Sequence, residues 1–229
     1  MGTAPEPVRR LSCGVPHLDA ILSGGFPRGR ISELVGPLSS GKTSLALRLL
    51  AAATRGGEVV ACIDLADALH PASLARAGAD LRRLLWVRPT SAPAAMRCTE
   101  LLLQAGGFAV VVLDLGAVIP RPLRGHVWPR LLRAAEQSHT ALVVVAPYRL
   151  AGSFAVLSLS LQPRLPLWRR ALWALFDGLE TAMTVVRNKL GAPGGHLVIR
   201  AEPALSLSKG DSCSSPECRT STIHEHDSR

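Results

Sequence analysis

One eight-residue segment constrains the fold more than any other part of the chain. Residues 36–43 read Gly-Pro-Leu-Ser-Ser-Gly-Lys-Thr, a full match to the pattern G-x-x-x-x-G-K-[ST]. An apolar stretch, Ile31–Val35, precedes it, and an apolar helical stretch, Thr43–Ala53, follows it. Between a buried strand and a helix, such a loop turns its backbone N–H groups and the helix N-terminus toward an anion. The sequence therefore predicts a phosphate-binding loop in an α/β fold.

The side chains of this loop predict a site for a nucleoside triphosphate. Lys42 carries the charge that reaches the phosphates, and we class it with the catalytic residues. Thr43 offers a hydroxyl group to Mg²⁺, and Asp114 follows the apolar stretch Phe108–Leu113, where a carboxylate commonly completes the magnesium site. The predicted cofactor-binding residues are Gly36, Pro37, Leu38, Ser39, Ser40, Gly41, Lys42, Thr43 and Ser44.

Strand and helix patterns alternate along most of the chain. The other predicted strands are Val59–Asp64, Leu84–Val87, Ala141–Ala146, Phe154–Gln162, Leu179–Arg187 and His196–Arg200. The other predicted helices are Val15–Leu22, Pro71–Ala77, Ala92–Gln104 and Trp128–Gln137. The earlier strands are solidly apolar, which favours a mainly parallel sheet with helices on both faces. We divide the chain into a lead-in segment (1–30), an α/β domain (31–203) and a Ser-rich tail (204–229) that is predicted to be disordered.

Composition narrows the class of protein. The chain has 229 residues, of which 48% are hydrophobic and 19% are charged, as in globular proteins. No apolar run approaches the roughly 18–20 residues that span a bilayer, and the first residues lack a secretory pattern. The cysteines are scattered, as expected of a reduced cytoplasmic protein without membrane contact.

The positive charge is concentrated in one part of the chain. The net charge is +9, and residues 115–175 hold eight arginines against one acidic residue, Glu136. An arginine-rich region attracts the phosphate backbone of nucleic acids, although arginines on ordinary solvated faces give the same count. We name Arg121, Arg124 and Arg149 as candidate contacts to single-stranded DNA.

The motifs, in order, resemble the ATPase core of the bacterial RecA recombinase family. The resemblance rests on Leu11–Gly14, on residues 24–31, on the loop in its narrower form Gly-Pro-x-Ser-Ser-Gly-Lys-Thr, and on Val112–Asp114. It implies a RecA-type P-loop NTPase core with ATP and Mg²⁺ as cofactors. Near the C-terminus, residues 187–195 resemble a turn whose basic residue reaches a neighbouring subunit's phosphates, and Lys189 is the candidate for that role.

The departures from the RecA pattern concern catalysis. The family carries a catalytic Glu two residues after the Asp that ends the second strand, and this chain has Ala66 there. A methyl group cannot orient a water molecule, so hydrolysis is expected to be slow or absent unless Asp64 or Asp67 replaces the Glu. The family's loop Glu is Leu38 here, and its adenine-stacking Tyr aligns near Ser73.

Other departures concern DNA and partners. The two DNA-binding loops of the family are shortened here to 116–125 and 147–152, which argues against filament formation, while smaller oligomers stay open. Short relatives of this kind resemble the ImuA (SulA-related) group. That resemblance implies a role in the SOS response, with docking onto RecA, DNA or a translesion polymerase.

Three hypotheses about function therefore stay open. The first is an ATP switch with little turnover in DNA repair or recombination, the second a DNA-dependent ATPase that uses Asp64 or Asp67, and the third an adaptor with a vestigial nucleotide site.

Two further patterns are ambiguous. Residues 168–173 alternate tryptophans with arginines and fit either base stacking or, at helical spacing, a packing or docking face. The tail has Cys and His residues but no apolar residues to build a zinc fold around them.

Overall fold

The computed structural model describes residues 8–116, 127–170, 174–191 and 194–201. The strands are β1 (Arg10–Leu11), β2 (Phe26–Pro27), β3 (Ile31–Val35), β4 (Val60–Asp64), β5 (Leu84–Val87), β6 (Val110–Asp114), β7 (Ala141–Ala146), β8 (Ala155–Arg170), β9 (Ala174–Asn188) and β10 (His196–Ala201). The helices are α1 (Pro16–Ile21), α2 (Lys42–Arg55), α3 (Pro71–Arg76), α4 (Ala92–Ala105) and α5 (Val127–Ser138). Short 3₁₀ turns cover Leu81–Arg83 and Gly152–Phe154.

Eight strands form one sheet in the order β10-β9-β8-β3-β7-β6-β4-β5. The strands from β8 to β5 run parallel to one another, while β9 and β10 are added antiparallel at one edge. β1 and β2 form a separate two-stranded sheet. The prediction of a mainly parallel α/β sheet is confirmed.

The core lies on both faces of this sheet, as the apolar strands predict. On one face, β-strand side chains pack with α1, α2 and α3, together with Leu11 and Phe26 of the N-terminal segment. On the other face they pack with α4 and α5. The strands are buried because helices cover them on both sides. Among the described residues, no helix has the length and apolar character needed to cross a membrane.

β8 and β9 form a hairpin that is longer than the rest of the sheet. β8 pairs with β3 only as far as Ser160, which lies beside Val35, and residues 161–170 continue past that point. β9 accompanies β8 along its outer part, with Trp168 beside Phe176 and Arg170 beside Ala174. We call residues 161–170 and 174–183 the hairpin arm.

The helical interpretation of residues 168–173 is wrong for Trp168–Arg170, which lie on β8. Their backbone groups pair with β9, and this ladder prevails over the helical spacing of the apolar residues. Residues 171–173 lie outside the described part of the chain, as do the whole predicted tail and its Cys and His residues.

Candidate functional site

The predicted phosphate loop lies between β3 and α2, at the edge where the parallel strands end. Gly41 precedes α2 with φ of 83°, a left-handed conformation that favours glycine. A Cβ atom at Gly36 would lie 2.2 Å from the carbonyl oxygen of Leu161. The loop therefore needs glycine at both positions, and it packs closely against the base of the hairpin arm. Pro37, Leu38, Ser39 and Ser44 are exposed, whereas Ser40 is buried.

A cleft of about 430 Å³ opens beside this loop. It is lined by Leu38, Lys42, Thr43, Leu65, Ala66, Ala68, Asp114, Leu115 and Gly116. The Lys42 side chain is 6% exposed, and its Nζ donates to the carbonyl oxygen of Pro37 at 2.9 Å. Burial lowers the pKa of Lys42, and the charge of Asp114 acts in the opposite sense.

Thr43 and Asp114 meet inside the cleft. The Thr43 hydroxyl group donates to Asp114 Oδ2 at 3.3 Å, and the N–H of Gly116 donates to Asp114 Oδ1 at 2.9 Å. Burial raises the pKa of Asp114, partly offset by the hydrogen bond from Gly116. The structure brings together two oxygen ligands that suit a hard divalent cation and that lie far apart in the sequence.

The site fits a phosphate chain with Mg²⁺. A positive side chain, a helix N-terminus and two oxygen ligands converge on the cleft. The hydroxyl of Ser40 lies within the loop, is buried, and has no hydrogen-bond partner among the described residues. An unpaired buried hydroxyl group is costly, so it is typical of a loop that gains partners by binding a ligand.

Asp64, the first candidate for water activation, does not line the cleft. Its Oδ1 accepts from the N–H of Ala68 at 3.0 Å, and its Oδ2 accepts from the N–H of Leu69 at 2.9 Å and from Trp86 Nε1 at 3.3 Å. The side chain is buried, so this carboxylate is held by the loop that follows β4 and by the indole ring of β5.

Asp67, the second candidate, also lies outside the cleft. Its side chain is 68% exposed, and its Oδ1 lies 3.5 Å from Nη1 of Arg88, whose guanidinium group stacks over Trp86 at 4.8 Å. Ala66 does line the cleft and packs on Gly116, where a Cβ atom would lie 2.8 Å from the Ala66 Cβ. Of the described carboxylates, only that of Asp114 faces the cleft.

Arg149 is the one predicted DNA contact within the described residues, since Arg121 and Arg124 lie outside them. Its side chain is 35% exposed, and its Nε lies 3.9 Å from Glu33 Oε2. Glu33 is buried in β3, where its carboxylate accepts from the N–H groups of Leu150 and Ala151, each at 2.7 Å, and from the Ser158 hydroxyl at 3.1 Å. Glu33 therefore holds the segment that carries Arg149.

Lys189 lies at the far end of β9 from the phosphate loop. Asn188, the preceding residue, pairs with Leu157 of β8, which in turn lies beside Ser32 near the start of β3. Thr181, in another part of β9, lies beside Gly41 of the loop. Lys189 Nζ donates to the carbonyl oxygen of Ser153 at 2.6 Å. Lys189 therefore cannot contact the phosphate loop of its own chain.

Sequence reasoning missed two residues near these features, the buried Glu33 and the partly buried Trp86. Glu33 could have been found, because a charged residue inside an otherwise apolar strand pattern must have partners when buried. Trp86 gave no such signal, because its bond to Asp64 depends on the pairing of β4 with β5.

Comparison with known proteins gives one consistent family. A model of the RecA N-terminal domain matches residues 2–127. Protein RecA of Chlorobium limicola is 39% identical over 122 residues, which are 52% of this chain and 35% of that protein. Protein RecA of Rubrobacter xylanophilus is 42% identical over 120 residues, with the same coverage of 52% and 35%. The matched region thus spans about a third of the curated relatives.

A solved structure extends the likeness beyond the matched region. The crystal structure of the RadB recombinase aligns with a TM-score of 0.65 at 22% identity, covering 83% of this chain and 95% of that chain. At this identity the likeness concerns the fold.

Proposed function

Since the RecA N-terminal domain matches more than half of the chain, the chain belongs to the RecA family, and we propose that it is an ATP switch in DNA repair and recombination. The observation that carries the proposal is the cleft in which Lys42, Thr43 and Asp114 converge while no second carboxylate is present among its lining residues. Such a site suits binding of ATP with Mg²⁺ and lacks a base for hydrolysis.

The residues that bind ATP and Mg²⁺ have distinct roles in this proposal. The backbone of residues 36–44 and the N-terminus of α2 bind the phosphates, and Lys42 neutralises their charge. Thr43 and Asp114 hold Mg²⁺, which screens the phosphate charge when bound. Leu38 extends the apolar wall of the cleft toward solvent.

Slow turnover follows from the surroundings of Ala66. Loss of a general base costs about 10²–10⁴ in rate. Asp64 accepts three hydrogen bonds, from Ala68, Leu69 and Trp86, and Asp67 pairs with Arg88 at the surface. Neither Asp64 nor Asp67 lines the cleft, so we expect neither to orient the attacking water, and ATP then acts as an assembly or conformational ligand.

We further propose that the chain works in the cytoplasm in the DNA-damage (SOS) response, as an ImuA-like protein that docks on RecA, single-stranded DNA or a translesion polymerase. The local excess of arginine supports contact with DNA. Lys189 supports a contact between subunits, because it lies at the opposite end of the domain from its own phosphate loop.

The decisive experiment measures ATP binding and ATP turnover by the full chain in one buffer, with and without single-stranded DNA. The proposal predicts micromolar binding that needs Mg²⁺, with turnover near background. Lys42→Ala should abolish binding, while Arg48→Ala, a charge removal on α2 outside the cleft lining, should not. Ala66→Glu should raise turnover if the missing carboxylate is what limits it.

The alternatives give different results. Turnover stimulated by DNA would support a working ATPase, and Asp67→Ala or Asp64→Asn would then show which carboxylate acts. Absence of ATP binding, together with partner docking that is unchanged in Lys42→Ala, would overturn the switch and favour the adaptor.

A further inference from the structure

A buried hydroxyl group on the hairpin arm lies against the phosphate loop and has no assigned role. Thr181 lies on β9, is 3% exposed, and its Oγ1 has no hydrogen-bond partner among the described residues. It is not part of the loop motif, and its distance from that motif in the sequence gives no hint of proximity.

The contact with the loop is close. A Cβ atom at Gly41 would lie 2.9 Å from Thr181 Oγ1 and 3.6 Å from its Cβ and Cγ2 atoms. Gly41 directly precedes α2, and Lys42 and Thr43 follow it. The hydroxyl therefore lies beside the backbone that presents the first free N–H groups of α2 to the cleft.

The hydroxyl of Ser40 in the loop is also unpaired among the described residues, but two other hydroxyl groups of β8 and β9 have partners. On the same strand, Thr184 Oγ1 lies 2.8 Å from His196 Nδ1, and on β8 the Ser158 hydroxyl donates to Glu33. A hydroxyl kept buried and unpaired costs free energy, and a valine would fill the same volume without that cost. Packing alone therefore does not explain a threonine at this position.

We propose that Thr181 is a positioning residue of the nucleotide site, whose hydroxyl group hydrogen-bonds the backbone of the phosphate loop when a triphosphate is bound. This inference rests on the proposed function, because it requires the loop to bind a nucleotide. It adds that β9 supports the phosphate loop from behind, since Thr181 lies against Gly41 and is not among the residues that line the cleft. It also links nucleotide binding to the hairpin arm, since Thr181 pairs with Pro163 of β8 and Ile199 of β10.

The test compares Thr181→Val, which keeps the shape and removes the hydroxyl, with Thr181→Ser, which keeps the hydroxyl. The matched control is Thr184→Val on the same strand, whose hydroxyl faces β10. Affinity for a fluorescent ATP analogue with Mg²⁺ is measured on the full chain. We expect Thr181→Val to weaken binding about tenfold, which is the effect of one hydrogen bond of ordinary strength. Thr181→Ser and Thr184→Val should stay within about twofold.

Melting of the protein without nucleotide gives an independent readout. Removal of an unpaired buried hydroxyl leaves the melting temperature of Thr181→Val equal to that of the wild type or higher. The same variant should show a smaller rise in melting temperature on addition of ATP. A variant that is at least as stable as the wild type without ATP, but gains less stability when ATP is added, is not explained by a merely structural role of Thr181.

Amide hydrogen exchange shows whether the arm is linked to the site. ATP should slow exchange in residues 161–164 and 180–183 of the wild type, and this protection should be lost in Thr181→Val.

The failing outcomes are distinct. A wild type that binds ATP together with a Thr181→Val variant of equal affinity overturns the inference and leaves the proposed function intact. Equal weakening by Thr181→Val and Thr181→Ser assigns the effect to packing and also overturns it. A wild type that does not bind ATP overturns the proposed function, and the inference with it.

Discussion

The two connections on either side of β7 find hydrogen-bond partners for their backbone groups in different ways. The connection from β6 to β7 contains α5, a helix of 12 residues whose Trp128, Leu131 and Ala135 pack on the sheet. The connection from β7 to β8 has only residues 147–154, with one 3₁₀ turn, although parallel connections usually need a dozen residues or more. Within α5 the backbone groups bond to one another, so this helix needs only an apolar face to pack on the sheet.

The second connection has no α-helix to bind its backbone groups, only the 3₁₀ turn at Gly152–Phe154. It crosses β3, and the buried Glu33 carboxylate accepts the N–H groups of Leu150 and Ala151 at 2.7 Å each. Ser158 and Arg149 supply the other partners of the same carboxylate. The buried acid thus binds two N–H groups of this connection, while Arg187 and Lys189 donate to its carbonyl oxygens at Gly152 and Ser153. The connection therefore depends on a few side chains outside it.

The largest expected effect comes from Glu33→Ala. The variant leaves the partly buried N–H group of Leu150 and the buried N–H group of Ala151 without their acceptor, and we expect a loss of about 4 kcal/mol in the free energy of unfolding. Urea unfolding measures it. Glu33→Gln is the control, because its amide oxygen can accept hydrogen bonds from the two N–H groups. Its free energy of unfolding should therefore stay much closer to that of the wild type. Equal losses in both variants would show that the charge, not the acceptor, holds the connection.

Ser158→Ala should have the next largest effect. It removes the hydroxyl that donates to Glu33 Oε2, and we expect a loss of about 1 kcal/mol. Ser138→Ala is the matched change in the first connection, where the hydroxyl bonds only carbonyl groups of its own helix, and it should cost about half as much or less. Thermal melting of both variants compares the connections directly, and the reverse order would contradict the dependence on Glu33.

Glu100→Ala tests a carboxylate that binds α5, the helix of the first connection. Glu100 of α4 accepts from Arg130 of α5 at distances from 2.6 to 2.9 Å, at the surface. Such pairs contribute about 0.5 kcal/mol, so we expect a loss near that value, measured by urea unfolding. A loss as large as that of Glu33→Ala would remove the contrast between the two connections.

Arg149→Ala should change stability least. The arginine is partly exposed, and its Nε lies 3.9 Å from Glu33, so we expect a change within about 0.5 kcal/mol. The same variant reports on DNA, because a phosphate contact at Arg149 predicts weaker binding of single-stranded DNA and a smaller salt dependence. Arg76→Ala, an exposed arginine on α3, is the control for charge alone. Equal binding by both variants would remove Arg149 from the DNA surface.

The parallel part of the sheet could be predicted from the sequence because its signals are local. Ile31–Val35, Leu84–Val87 and Ala141–Ala146 form strands with the predicted bounds, since each is a short apolar run between turn residues. The hairpin arm could not be predicted in the same way. Its outer strands contain prolines and clustered arginines, and their extended conformation depends on pairing with each other over long distance.

The cleft shows the same division. The loop, Lys42 and Thr43 form one continuous motif, and the pairing of Thr43 with Asp114 follows from strands that end at the same edge. The surroundings of Asp64 and Asp67 could not be inferred, because they depend on Trp86 of β5 and on Arg88 just after it, and the sequence does not show which side chains of these residues meet the end of β4. The contact of Thr181 with the phosphate loop could not be inferred either, because Thr181 and Gly41 are far apart in the sequence.

The hairpin arm has a mechanical consequence. It is anchored beside the phosphate loop at Leu161 and Thr181, and its strands continue to Arg170 and Ala174. Ten residues of strand span about 33 Å, so a rotation of about 5° at the base displaces the far end by about 3 Å. A tilt of the arm that began at the phosphate loop would therefore be amplified at its far end, near Arg170 and Ala174.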